Sequence, residues 1–244
     1  MENIFSISKI SNEHANHCED SHFTLNYENY FIGCVLDGCS TGVDSHFASM
    51  LIGKLLKKEL KFCIDLLDKI YTYDLPTDDF IKNFINQVLI TTATQLRLVT
   101  HQLNLEENEL LSTIVLAVYI KPFEKLFIKI IGDGGYLINQ QDYLMIHPKN
   151  NMPEYLAYHL VGDHSISNFI NNIEVTKFEN VSEFSIFTDG LEQIKGPESS
   201  ENIIDYLLKN KDFSQSKIML QRKFNILTKN HHKCNDDVSI IRYF

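Results

Sequence analysis

The chain has 244 residues, 44% of them hydrophobic and 22% charged, enough to bury a sizeable core. A formal net charge of −10 argues against nucleic acid or an anionic membrane surface as partner. The longest apolar run, "IVLAVYI", is far short of the ~20 residues of a membrane span. "MENIFSISKI" has no charged leader followed by an apolar block, so no signal peptide is expected, and five irregularly spaced cysteines suggest reduced thiols in a cytoplasm.

In chain order, "HFTLNYENYFIGCVLD" alternates and then becomes wholly apolar, which predicts a hairpin whose second strand enters a core. A helix follows, with Phe47, Leu51 and Leu55 at helical spacing, Ile52 and Leu56 beside them, and a lysine-rich outer face. "YDLPTDD" breaks it, and Thr77 or Asp78 supplies the cap of a second helix. Ile81, Phe84, Ile85, Val88, Leu89 and Leu96 form the buried stripe of that helix. From Ser112 the period shortens, and "STIVLAVYI", "KLFIKIIGDGGYLIN" and "DYLMIH" read as one antiparallel meander. The stretch 149–172 holds no sustained period and is read as a surface excursion or flap. Strands return in "NIEVTKFE" and "EFSIFTDG", helices in "ENIIDYLLKN" and "QSKIMLQRKFNILTKN", and "DDVSIIRYF" is a closing strand. No linker, repeat or low-complexity tract divides the chain, so 1–244 reads as one α+β domain rather than alternating βαβ units.

Three apolar runs end in Asp-Gly, at Asp37, Asp133 and Asp189, and the pair Asp236 and Asp237 precedes the last strand. Asp-Gly is a favoured hairpin turn, and for Asp133 the turn and ligand readings are equally weighted. Asp37 and Asp189 fit the turn less well, because no immediate return strand follows. Acids converging at strand tips would repel one another, and Mg²⁺ or Mn²⁺, which take oxygen ligands, would relieve that repulsion.

These motifs, in this order, resemble the metal-dependent 2C-type serine/threonine protein phosphatases, in particular the bacterial sporulation-phosphatase branch. "CEDSHF" resembles the Glu-Asp element, "VLDGCSTG" the Asp-Gly metal motif, "LLSTIVLAVY" the Gly-Ser-Thr strand and "IGDGGYLI" the Gly-Asp-Ser-Arg hairpin. "IFTDGLEQI" resembles the Ser-Asp-Gly element and "NDDVSII" the closing Asp-Asn strand. The resemblance implies a four-layer α-β-β-α sandwich, two antiparallel sheets flanked by helical hairpins. It implies Asp37, Gly38 (through its carbonyl), Asp189, Asp236 and Glu19 as ligands of two Mn²⁺ or Mg²⁺ ions, with Asp37 bridging. Asp20 supports them, and Asp133 can hold a third ion. The implied reaction is hydrolysis of phosphoserine or phosphothreonine in a protein by a metal-activated water, with Asp37, Asp189 and Asp236 acting through the metals.

The chain departs from the family where Ala15 replaces a phosphate-clamping arginine, Cys39 a histidine of eukaryotic members and Gly135 the hairpin arginine. His14 or His17 is a partial substitute for the clamp, without a guanidinium's bidentate fork. A pseudophosphatase that binds and regulates a partner is the main rival. A haloacid-dehalogenase-type enzyme would want a second acid where Cys39 stands and a parallel sheet. A zinc module from His14, His17, Cys18, His231, His232 and Cys234 lacks the usual paired spacing. Cys39 as a nucleophile lacks a placed His-Asp partner.

Overall fold

The structure is a computed structural model in which residues 2–14, 16–42, 45–70, 76–148, 152–160, 163–197 and 200–244 are described. Strand β1 (Ile4–Lys9) is followed by a hairpin of β2 (Ser21–Asn26) and β3 (Tyr30–Leu36), then by helices α1 (Ser45–Ile70) and α2 (Asp78–Leu103). Next come β4 (Ile114–Ile120), β5 (Lys125–Ile131), β6 (Gly134–Ile138), β7 (Asp142–Ile146), helix α3 (Asp163–Asn172), β8 (Thr176–Phe178) and β9 (Phe184–Phe187). The chain ends with β10 (Ile194–Lys195), α4 (Ser200–Leu208), α5 (Met219–Lys229), β11 (Lys233–Cys234) and β12 (Val238–Tyr243).

Two five-stranded sheets stack face to face, in the orders β1-β12-β9-β6-β7 and β2-β3-β4-β5-β8, and β10 pairs with β11. Every strand pair among the described residues is antiparallel, which excludes the parallel sheet of the haloacid-dehalogenase reading. Strands β3 and β4 are wholly apolar because both their faces are covered. Ile32, Cys34 and Leu36 of β3 join Leu116 and Val118 of β4 under α1 and α2, while Phe31, Val35, Val115 and Tyr119 face the other sheet. A third apolar cluster lies under α4 and α5, where Ile203, Leu207, Leu220 and Phe224 cover Phe187 and Ile240. The layers therefore run helices, sheet, sheet, helices, as the resemblance implies. No helix among the described residues is long and apolar enough to cross a membrane.

Helix α2 follows its sequence pattern closely: Thr77 accepts a hydrogen bond from the Phe80 N–H at the start, and Ile81, Ile85, Val88, Leu89 and Leu96 are buried. Phe84 is only partly buried. In α1 the stripe is centred one position later than read: Ile52, Leu56, Leu60 and Ile64 are buried, while Phe47, Leu51 and Leu55 flank them. The reason is local packing, since α1 presents the Gly53 side to Leu36 and Phe23 and rolls the Ile52–Leu56 face inward.

Two other readings are corrected. The stretch from Ser112 is not one meander: β4 pairs with β5 and β6 with β7, but β5 and β6 belong to different sheets. The chain steps from one sheet to the other across Gly132 and Asp133, so Asp133 is not the tip of a hairpin. Nor do the described residues of 149–172 make a surface excursion. Residues 163–172 form α3, and Tyr155, Leu156, Leu160, Ile166, Phe169 and Ile170 are buried in the cluster beneath α2.

Candidate metal centre

Each Asp-Gly step is a local device that ends a strand and presents a carboxylate. Asp37 follows β3; the Thr113 N–H donates to its carbonyl at 2.8 Å, and Gly38 bridges to Ser112, so the start of β4 holds this loop. Asp133 sits between two glycines with positive φ, Gly132 at +88° and Gly134 at +111°. A side chain at 134 would also put its Cβ 2.6 Å from Val115. Glycine is thus required for the sharp step that turns Asp133 inward. Asp189 opens a 3-10 turn after β9. The role of Gly190 is close approach of protein to protein, since a Cβ there would lie 1.8 Å from the Asp237 carbonyl oxygen.

The structure brings Asp37, Asp133 and Asp189 together, with one carboxylate oxygen from each within 4.8 Å of the others. It is the only such group of metal-compatible side chains among the described residues. Asp236 and Glu19 do not join it at that radius. Asp236 lies beside Gly190, takes the Asp237 N–H at 2.8 Å and the Gln193 amide at 3.3 Å, and contributes to the field felt by Asp133. Glu19 is fixed by its backbone: its N–H donates to Asp237 Oδ2 at 2.5 Å, and its carbonyl accepts from Ser49 Oγ at 2.5 Å and the Gly38 N–H at 3.2 Å. Asp20 is buried, accepts the Thr188 hydroxyl at 2.7 Å and adds its charge to the field at Asp37.

The electrostatics are those of crowded acids. Burial, then the charges of Asp20 and Asp189, push the Asp37 carboxyl well above its ordinary range. Burial and the Asp189 charge push Asp133 up to about 7, against the Thr113 hydroxyl and backbone N–H, which favour its ionised form. Asp236 is raised to about 6, again chiefly by burial. Two charges 4.8 Å apart repel by about 3 kcal/mol at an effective dielectric near 20. One buried oxygen each of Asp20, Asp133 and Asp189 lacks a hydrogen-bond partner. Converging orphan oxygens with no nitrogen or sulfur donor among them fit a hard divalent cation such as Mg²⁺ or Mn²⁺.

The histidines and cysteines of the zinc alternative do not assemble. His232 is buried with Nδ1 3.2 Å from the Leu227 carbonyl, His17 stacks on His46 at 4.3 Å, and His14 sits beside Asp237. Asp237, named in the sequence only as half of an acidic pair, is a buried acceptor for the Ser11 and Glu19 N–H groups. Nothing in "DD" tells which acid faces the pocket. Tyr155, buried near Cys39, Asp37 and Asp133, also belongs to this surround, and burial raises the pKa of its hydroxyl. Its signal, an aromatic in an aperiodic stretch, is weak. Ala15 lies outside the described residues.

The protein phosphatase 2C family profile matches residues 11–235. The chain belongs to the protein phosphatase 2C family. No curated protein sequence matches it. Among solved structures, this 2C-family chain resembles a bacterial serine phosphatase carrying an arginine substitution at a TM-score of 0.64 and 16% identity, covering 99% of this chain and 96% of that one. It resembles the phosphatase domain of SpoIIE, a cell fate determinant of Bacillus subtilis, at 0.62 and 14%, covering 100% of this chain and 63% of that one. For the serine/threonine phosphatase Stp1 from Staphylococcus aureus the values are 0.57 and 14%, covering 100% and 94%. At these identities the likeness speaks for the fold.

Proposed function

We propose that this 2C-family chain, as a single domain, is a metal-dependent phosphatase of phosphoserine and phosphothreonine in a phosphorylated protein. The observation that carries the reading is the convergence of Asp37, Asp133 and Asp189 from both sheets onto one pocket. Asp37, the Gly38 carbonyl, Asp189, Asp236 and Glu19 would hold two Mn²⁺ or Mg²⁺ ions, and Asp133 could hold a third. When bound, such ions supply Lewis acidity and a nucleophilic water at neutral pH.

The chain's own part is position and field. Asp20, held by the Thr188 hydroxyl, adds its charge to the field at the Asp37 carboxyl. The backbone clamps on Glu19 bring the β2 end of one sheet against the Asp237 end of the other. Residues 152–160 border the pocket, with Pro153 against Gly132 and Tyr155 near Cys39. Met152 and Tyr158 of that stretch are exposed, which suits contact with a protein substrate. Five free cysteines agree with a cytoplasmic setting.

The test is aryl-phosphate turnover with and without Mn²⁺, in wild type and in Asp37→Asn and Asp236→Asn. The reading expects Mn²⁺-dependent turnover, reduced at least a hundredfold in both variants. Mn²⁺ binding without turnover in wild type would replace it with the pseudophosphatase reading.

A further inference from the structure

Strand β2 lies at the edge of its sheet, with β3 as its one paired neighbour among the described residues. The Tyr27 N–H donates to the Tyr30 carbonyl at 2.8 Å, and the Gly38 N–H to the Glu19 carbonyl at 3.2 Å. In the β2–β3 register both contacts fall on odd-numbered residues of the first strand. Antiparallel bonding alternates residue by residue, so the backbone N–H and C=O groups of His22, Thr24 and Asn26 point to the open side. Natural sheet edges are commonly blunted by lysine, proline or a short length. The opposite edge, β8, has three residues and carries Lys177. By contrast β2 has six, Ser-His-Phe-Thr-Leu-Asn, with neither lysine nor proline.

Alongside this edge runs a groove of about 210 Å³, lined by His22 and Phe23 of β2 and by Met50, Gly53, Lys54 and Lys57 of α1. The four α1 positions recur at helical spacing, so one face of that helix forms the wall. Phe23 is buried with the Lys57 ammonium 5.8 Å from its ring centroid, and Met50 is exposed. Among the described residues neither Lys54 nor Lys57 pairs with a carboxylate. Burial, then the Lys57 charge, lowers the His22 pKa, so the positive charge of the groove resides on the lysines. On a chain of net charge −10, the run Lys54, Lys57, Lys58 and Lys61 is a local positive strip.

An extended chain laid along β2 would bond to the outward groups of His22 and Thr24. Every second side chain would then lie beside Phe23 and Leu25, which face α1, and a carboxylate there would meet Lys54 and Lys57. We propose that β2 and the facing side of α1 form a docking groove for an extended acidic segment of a partner protein, which joins the sheet as an added strand. The groove contains none of the residues assigned to the metal centre, so the inference stands apart from the phosphatase reading.

The test is fluorescence anisotropy of a labelled octapeptide of alternating glutamate and valine, titrated with the full chain at low salt. A lysine–valine counterpart should bind about tenfold more weakly, and added salt should weaken the acidic peptide. Of two acidic copies, one N-methylated on its valines and one on its glutamates, one set of amides faces β2. One copy should therefore bind about tenfold more weakly than the other. Lys54→Glu with Lys57→Glu should cost about tenfold, and exposed Lys54→Glu alone about threefold. Lys229→Glu with Lys233→Glu, the same net-charge change on exposed residues of α5 and β11, should leave binding unchanged. The urea midpoint checks that each variant is folded. No binding of the acidic peptide, equal binding of the two methylated copies, or equal loss in the two double variants would each overturn the proposal. A wild-type dimer in sedimentation that excludes the peptide would assign the edge to a second copy of the chain and overturn it too.

Discussion

Replacing Asp133 by asparagine should stabilise the protein when chelator keeps it free of metal, and only at the higher pH values. The carboxyl moves from its ordinary 3.8 to about 7 in the folded chain, which corresponds to about 4 kcal/mol. Asp133 is 5% exposed, so little solvent screening reduces that figure. The sign follows from proton counting. Between pH 4 and about 7 the folded chain holds a proton on Asp133 that the unfolded chain has released. Stability therefore falls as pH rises across that window, and the loss is complete above it. Urea denaturation in EDTA, at steps from pH 4.5 to 8, should show wild type falling and Asp133→Asn falling less. The two curves should separate by about 2–4 kcal/mol at pH 8 and converge near pH 4.5. Asp37 feels the Asp133 charge, so the difference reads the Asp133 carboxylate together with the relief that its removal gives Asp37. Parallel curves across the whole range would refute the claim that burial and the Asp189 charge strain this carboxylate.

Gly190→Ala should cost about 3 kcal/mol or prevent folding, because its Cβ would fall 1.8 Å from the Asp237 carbonyl; the urea midpoint reads this out. Lys129→Met should cost about 2–3 kcal/mol in the same assay. It strips the buried Nζ that donates to Asn86 Oδ1 at 2.8 Å and to the Ile170 and Ile173 carbonyls at 2.7 Å. Thr77→Ala should lower the melting free energy by about 1 kcal/mol and leave metal affinity unchanged, since it removes only the α2 cap.

Much of this architecture is legible where local and tertiary demands agree. Strands β3 and β4 announce themselves because both faces are buried, and α2 because its stripe and its Thr77 cap point the same way. The Asp-Gly steps were legible as chemistry because the acid follows an apolar run at three places. What was hidden depends on partners remote in the chain. β1 was not read as a strand, since its only neighbour is β12 at the opposite end. The step from β5 to β6 is as short as a hairpin turn, and only the pairing of β6 with β9 shows that the chain has changed sheets. The burial of Ile166, Phe169 and Ile170 reflects docking against α2 rather than any signal in their own stretch.

The acidic pocket is a seam as well as a site. Asp37 hangs from one sheet, Asp189 from the other, and Asp133 from the two-residue step between them. The spacing of the carboxylates is therefore a gauge of how the halves of the sandwich sit on each other. Val115, wedged beneath Gly134, ties that gauge to the packing between the sheets. A cation seated there would act as a clasp, so its loss should loosen the whole interior rather than a single loop.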